Sequence, residues 1–531
     1  MDFTNSQLKL IKTYIKVTKT IGSYPSRQEM KENGCTKDKI GYHFSSLSEL
    51  KKAAKEYDPQ AFNNLIDEDV FNETTLAKLN DEVQKYKRYV ITSAVTGCDV
   101  HKGFYNAIKK YCEFHNACLL IIPVSEPTKV KTHNKWHLAD MLDGHNIVFS
   151  DVALNNNLYI NTIKIQAKMI NPLTGLNRLT SEHGSCIIGS PKQELTFIPS
   201  SNAKLPKALM STGAITKPDY TPEKYLSLRL AALGEKDHVI GALIVEIEDD
   251  EIFYFRQIQA DKNGSFYDLD LQYTPELVNF NKAEYFIPGD WHCTETDPKV
   301  KRIWEAVTSV VAPEKIIIHD LFNGTSINHF DTNKPLTLGI KFNENKLSLE
   351  EELSKVALDL NFLDTYYEEI IIVKSNHDER LEKYLDSIKF ITDPHNIKIS
   401  LKLACAMMDG HSPLQWAMEN LFKINNPSKF KWLRRDEDYK FKGIQLGSHG
   451  DFSSNGHKGT PSSVEVCCPN SVIGHYHSPK IIRNTWVTGT STYLKLDYNN
   501  KGPSNWVQSG ILIHKNGQRQ LINVINGKWR L

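Results

Sequence analysis

Five short blocks of Asp, Asn and His close apolar runs in the second half of this chain, and they limit what it can fold into. Gly289-Asp290-Trp291-His292 follows Glu284–Pro288, and His319-Asp320-Leu321-Phe322-Asn323-Gly324 follows Lys315–Ile318. Ser375-Asn376-His377-Asp378 follows Glu369–Lys374, Gly447-Ser448-His449-Gly450 follows Ile444, and Gly474-His475-Tyr476-His477 follows Val472-Ile473. The runs have strand length, while Val300–Val311 and Leu347–Phe362 between them have helical periodicity. Strands alternating with helices define an α/β chain. In such a chain ligands gather at the carboxyl ends of strands.

The residue types fit divalent cations. Every candidate ligand offers oxygen or imidazole nitrogen and none offers thiolate, which favours Mn, Fe or Zn over soft metals. A carboxylate such as Asp320 can bridge two cations about 3.5–4 Å apart. Two such charges offset phosphoryl oxygens and make an ionised nucleophile available near neutral pH. An isolated D-x-H carries no weight, because it also occurs at Asp99–His101, Asp143–His145, Asp393–His395 and Asp409–His411. The ordered set of five blocks is what points to a metal site.

That order, D-x-H, D-x-x-N, N-H-D, H and G-H-x-H, resembles the calcineurin-like metallophosphoesterases. The resemblance implies a four-layer αββα fold over residues 281–531. It implies one metal held by Asp290, His292, Asp320 and His477, and a second held by Asp320, Asn376, His449 and His475. It places His377 at the scissile phosphate as general acid or transition-state stabiliser, with Asp378 orienting its ring. His319 and Ser375 depart from the glycines usual in the family before Asp320 and Asn376.

The first 57 residues are short, helical and basic, with eleven Lys and Arg against six Asp and Glu. Leu8, Ile11, Tyr14, Ile15 and Val17 predict an amphipathic helix. Ser26 reads as the cap of a second helix with Glu29 completing a capping box, and Thr36 starts a third. Gly22, Tyr24-Pro25-Ser26-Arg27, Glu29-Met30, Gly34, Ile40 and Phe44 resemble the small helix-turn-helix repeat found beside homing endonucleases. The resemblance implies DNA docking through Arg27, Lys37, Lys39 and His43. A helical oligomerisation arm with a solvated charged face is the competing reading. Residues 58–87 read as a polar helical linker, and residues 88–280 as an α/β domain of unassigned role. Tyr89–Val95, Phe104–Phe114 and Cys118–Val124 give it a β-α-β start. No internal repeat is evident.

With a net charge of +1 the whole molecule is not a polycation, so nucleic-acid contact requires local patches. Lys431, Trp432, Arg434 and Arg435 form a basic and aromatic cluster that suits a nucleic-acid groove or, equally, a solvated loop around a core Trp. Nine cysteines without a C-x-x-C pair read as free thiols in a reducing compartment. No run approaches the roughly 20 apolar residues of a membrane span. These features predict a cytoplasmic chain with no membrane partner. His319-Asp320-Leu321-Phe322 resembles a motif of double-strand-break-repair nucleases. The layout is similar to the early deoxyribonucleases of T-five-like coliphages, which implies Mn-dependent DNA cutting, host DNA degradation and a homo-oligomer. A phosphomonoesterase or nucleotide phosphodiesterase uses the same ligands, and a scaffold with a disabled site is the third alternative.

Overall fold

The computed structural model describes all residues except 1–2, 22–24, 26, 46, 63–76, 79–80, 126–137, 202–204, 222–227, 329–330, 332–333, 436 and 497–498. The chain forms two compact units, one built chiefly on Met1–Leu76 and one spanning Ala77–Pro127 and Leu138–Leu531.

The first unit is helical: Asn5–Ile21, Arg27–Glu32, Lys37–Phe44 and Leu47–Tyr57. Ile11, Tyr14, Met30, Ile40, Phe44, Leu50 and Ala54 bury one shared core. Gly34 turns the chain between the second and third helices at φ 80°, a conformation that favours glycine. The Thr36 hydroxyl then accepts the Lys39 N–H as an N-cap. Lys37 and Lys39 are exposed on this third helix, and His43 is half-buried. The expected Ser26 cap and the Arg27 side chain lie outside the described residues. So does most of the 58–87 linker, of which Pro59–Phe62 and Asp81–Gln84 form short helical turns.

The larger unit is mixed α/β with several sheets. A six-stranded sheet runs in the order Phe430–Leu433, Glu369–Val373, Lys315–His319, Ala283–Ile287, Ser509–His514, Arg519–Asn523. The first four strands are parallel and the last two form an antiparallel hairpin. Ile316, Ile317, Ile318, Ile370, Ile371 and Ile372 are all buried, as expected for a parallel sheet covered on both faces. On one face Trp304 and Val307 of helix Pro298–Val311 and Leu353 and Leu360 of helix Leu349–Asp364 join Ile316 and Ile370. On the other, Ile317 and Ile371 share a cluster with Leu446, Val472, Ile481 and Trp486 of a second sheet.

That second sheet has eleven strands and draws on both sides of residue 280. Leu195–Ile198 pairs antiparallel with Lys480–Ile482 at its middle. A five-stranded sheet contains Arg88–Val95, Cys118–Val124 and Asn146–Ile147 with the hairpin Gly241–Ile247 and Phe253–Gln259. Two apolar runs with the look of single strands, Val464–Val466 and Ile481–Val487, fold otherwise. Val464–Val466 lies in helix Pro461–Cys467, because Thr460 and Ser463 form a capping box and Pro461 pre-sets the first turn. Ile481–Val487 divides into Lys480–Ile482 and Thr485–Val487, paired as a hairpin around Arg483 at φ 53°. All nine cysteines are free thiols, and Cys405 and Cys467 are exposed.

Candidate metal centre

The five sequence blocks meet because their loops are tied to one another by backbone. Trp291 N–H donates to His319 O at 2.9 Å and Cys293 N–H to Leu321 O at 3.1 Å, joining the first two blocks. Gly474 N–H donates to His449 O at 3.0 Å, joining the last two. A Cβ on Gly474 would lie 2.2 Å from Asp290 Oδ1, so only glycine lets this loop approach the first block. His292, Asp320, His475 and His477 all take positive φ, between 47° and 76°. Such strain in non-glycine residues concentrates where the surroundings hold a functional geometry.

Asp290, His292, Asp320 and His477 bring ligand atoms within 4.8 Å of one another, and all four are buried. Asp320 Oδ2 lies 3.3 Å from His292 Nε2 and 3.4 Å from His449 Nε2, so one carboxylate faces two groups of imidazoles. His477 Nε2 lies 3.2 Å from Asp290 Oδ2 and 3.1 Å from His292 Nε2. On the other side of Asp320, His449 Nε2 is 3.1 Å from Asn376 Oδ1, and the His475 ring is 5.2 Å from the His449 ring. All seven ligands expected from sequence therefore fall in one connected group.

The group fits cations. Both Asp290 oxygens and Asp320 Oδ1 are buried without a well-aligned hydrogen bond. A buried carboxylate oxygen without a donor is costly unless a positive charge meets it. Burial alone would raise the Asp320 carboxyl, but His449, His377 and His292 outweigh it and hold it well below the usual carboxylate range. Burial alone would lower His449, but neighbouring Asp320 overrides that and raises it to about 9. Burial pushes His292 down to about 4, which keeps a lone pair available for coordination.

His377 sits beside the group, its ring centroid 4.4 Å from that of His292. Asp378, expected to orient the His377 ring, has other partners for its carboxylate. Asp378 accepts N–H bonds from Phe322 and Ser375 and the Ser375 hydroxyl, all at 2.9–3.0 Å. Its carboxylate is thus engaged in stapling the second and third loops. His377 Nδ1 instead faces the Asn323 carbonyl at 3.1 Å, and Arg380 Nη2 lies 3.0 Å from His377 Nε2. Sequence reading missed Arg380; its place three residues after His377, in the first turn of the helix Glu379–Asp386, was the available signal. The two departures from the family pattern also have local uses. Ser375 serves Asp378, and the His319 ring stacks on His449 with centroids 5.6 Å apart.

Arg435, expected at a nucleic-acid face, also has protein partners. It forks onto Asp451 with two 2.6 Å bonds and reaches Glu379 at 2.8 Å. Two carboxylates occupy its guanidinium, so it braces the third and fourth loops. Lys431 is exposed with its ammonium 4.7 Å from the Tyr439 ring centre, and Arg434 is exposed near Glu437. Trp432 packs against the apolar core.

Fold and site thus define a mixed α/β protein with a buried Asp/His cluster able to hold metal. The chain is 26% identical over 480 residues to Protein A1 of Escherichia phage T5, covering 84% of each chain. This similarity supports a bacteriophage origin. No family model and no solved structure matches the chain. Among the described residues no helix is long and apolar enough to cross a membrane.

Proposed function

We propose that the chain is a two-metal deoxyribonuclease with a four-layer metallophosphoesterase fold over residues 281–531, acting in phage-driven degradation of host DNA. The observation that carries this reading is the buried Asp290–Asp320–imidazole group, with carboxylate oxygens that lack a well-aligned hydrogen bond. Asp290, His292, Asp320 and His477 would hold one cation, and Asp320, Asn376, His449 and His475 the other. Bound cations of this kind, Mn foremost, lower the pKa of water and offset phosphoryl charge. His377 stands at the rim of the same group and presents an imidazole to a phosphate there. Its partners Asn323 and Arg380 fix the ring, and the Arg380 guanidinium adds positive charge beside it. Lys37, Lys39 and His43 on the third N-terminal helix, with Lys431 and Arg434, are proposed as DNA contacts. A homo-oligomer in the host cytoplasm completes the proposal.

Incubation with linear and circular DNA and Mn tests it. The expected result is cleavage that stops when the ion is chelated. No cleavage in any divalent ion, with metal bound, would end the nuclease reading. Rapid turnover of a small phosphate ester with DNA left intact would replace it by the phosphomonoesterase or nucleotide phosphodiesterase reading.

A further inference from the structure

The five- and six-stranded sheets share one plan. In each, a first strand (Arg88–Val95; Ala283–Ile287) leads to a helix of 14 residues (Lys102–His115; Pro298–Val311). A parallel neighbour follows (Cys118–Val124; Lys315–His319), then a further parallel strand (Asn146–Ile147; Glu369–Val373). In each, a late antiparallel hairpin closes the other side of the first strand (Gly241–Ile247 with Phe253–Gln259; Ser509–His514 with Arg519–Asn523).

The eleven-stranded sheet repeats outward from its middle. One side runs Leu195–Ile198, Lys207–Ser211, Ser185–Ile188, Leu158–Asn161, Val152–Asn155. The other runs Lys480–Ile482, Thr485–Val487, Ser471–Ile473, Ile444–Gln445, Lys440–Phe441. Both sides show the sequence antiparallel, parallel, parallel, antiparallel. The isolated bridges correspond too. Ser93–Ala214 and Ala214–Ile240 match Asp290–Thr490 and Thr490–Gln508, and Val100–Thr216 matches Thr296–Thr492. Agreement at this level of pairing is far beyond what two unrelated α/β folds share.

We infer that residues 88–260 are a second copy of the fold that carries the metal centre, a copy whose described residues gather no metal-ligand cluster and whose cation is the ammonium of Lys192. The bridges put Ser93 at the place of Asp290 and Val95 at that of His292. Ser93 pairs with Ile122, whereas the Trp291 N–H beside Asp290 donates to His319 O, so Ile122 stands at the place of His319 and Pro123 at that of Asp320. Gly189-Ser190-Pro191-Lys192 follows its strand as Gly474-His475-Tyr476-His477 does, with no imidazole. Val95, Cys98, Val124, Ala167 and Ala214 pack together there as an apolar cluster. Lys192 is 1% exposed, and its ammonium donates to Ala167 O at 2.6 Å, Tyr220 OH at 2.9 Å and Gly234 O at 3.0 Å. A fixed internal charge thus stands where the other copy gathers ligands. The metal-free copy also pairs with Lys480–Ile482, three residues past His477, and removes what would be an open sheet edge beside the centre.

The metal count below rests on the proposed metal centre, whereas the melting measurement on Lys192 does not. Full-length wild type, Asp320→Ala and Lys192→Met are loaded with Mn, dialysed, and compared for ions retained per chain and for melting temperature. Asp320→Ala is expected to retain no Mn. Lys192→Met is expected to keep the wild-type Mn count and to melt about 5 °C lower or more, because three buried acceptors lose their donor. Mn retained by Asp320→Ala would reveal a second centre and overturn the inference. An unchanged melting temperature in Lys192→Met would overturn the role of its ammonium. A wild type that retains no Mn would remove the metal centre and leave the Lys192 melting result to decide.

Discussion

Asp320 is where the two sets of imidazoles meet, and its loss should have the largest single effect. With Ala there, His292 and His449 lose their shared partner, and Mn binding and DNA cleavage should both fall below detection. His377 differs in kind, since it borders the ligand group without joining it. His377→Ala should keep the wild-type Mn count and slow the chemical step by roughly 10²–10⁴. Equal loss of metal in that variant would contradict the role assigned. Glu194, far from the centre in sequence, gives the pH prediction. Burial raises its carboxyl from 4.5 to about 7, and Arg483 only partly opposes this. A folded-state value above the unfolded one favours the protonated form in the folded chain. Stability is therefore lost as pH rises from about 4.5 to about 7. Glu194→Gln should match wild-type melting at pH 4.5 and exceed it at pH 8; the reverse order would refute the sign.

At the scale of elements, the loops are held by close backbone approach and by one buried arginine. Gly474→Ala forces a Cβ against Asp290 Oδ1, so Mn affinity should drop while far-UV circular dichroism stays unchanged. Arg435→Leu leaves Asp451 and Glu379 without their shared partner. It should cost about 2 kcal/mol in denaturant unfolding while leaving the salt dependence of DNA binding intact. A change in that salt dependence alone would restore Arg435 as a DNA contact. The strands of the second half were legible because Ile316–Ile318 and Ile370–Val373 are short, continuous β-branched runs. The helix Pro461–Cys467 is hard to read because Val464 and Val466 suggest a strand, while the cap at Thr460 decides. The residues of the buried cluster could be read because each sits just past a strand end. The roles of Asp378, Arg380 and Arg435 could not, since each depends on which loop lies opposite.

At the scale of the whole molecule, the duplication was hidden because a fold can persist after its functional residues have gone. Once Ser93, Val95 and Pro123 occupy the ligand places, apolar patterning alone remains, and patterning is shared by many α/β chains. The N-terminal unit is separate in its packing and carries its own expectation. Replacing Lys37 and Lys39 by Ala should weaken DNA binding and reduce the slope of log affinity against log salt by about two, roughly one per phosphate contact. An unchanged slope would favour the oligomerisation-arm reading. The central claim is that divalent cations sit around Asp320. Anomalous diffraction at the Mn edge from Mn-soaked crystals measures this directly. The account predicts two peaks about 3.5–4 Å apart with Asp320 between them, flanked by Asp290 and His477 on one side and Asn376 and His475 on the other. No peak within coordination distance of Asp320 would contradict it.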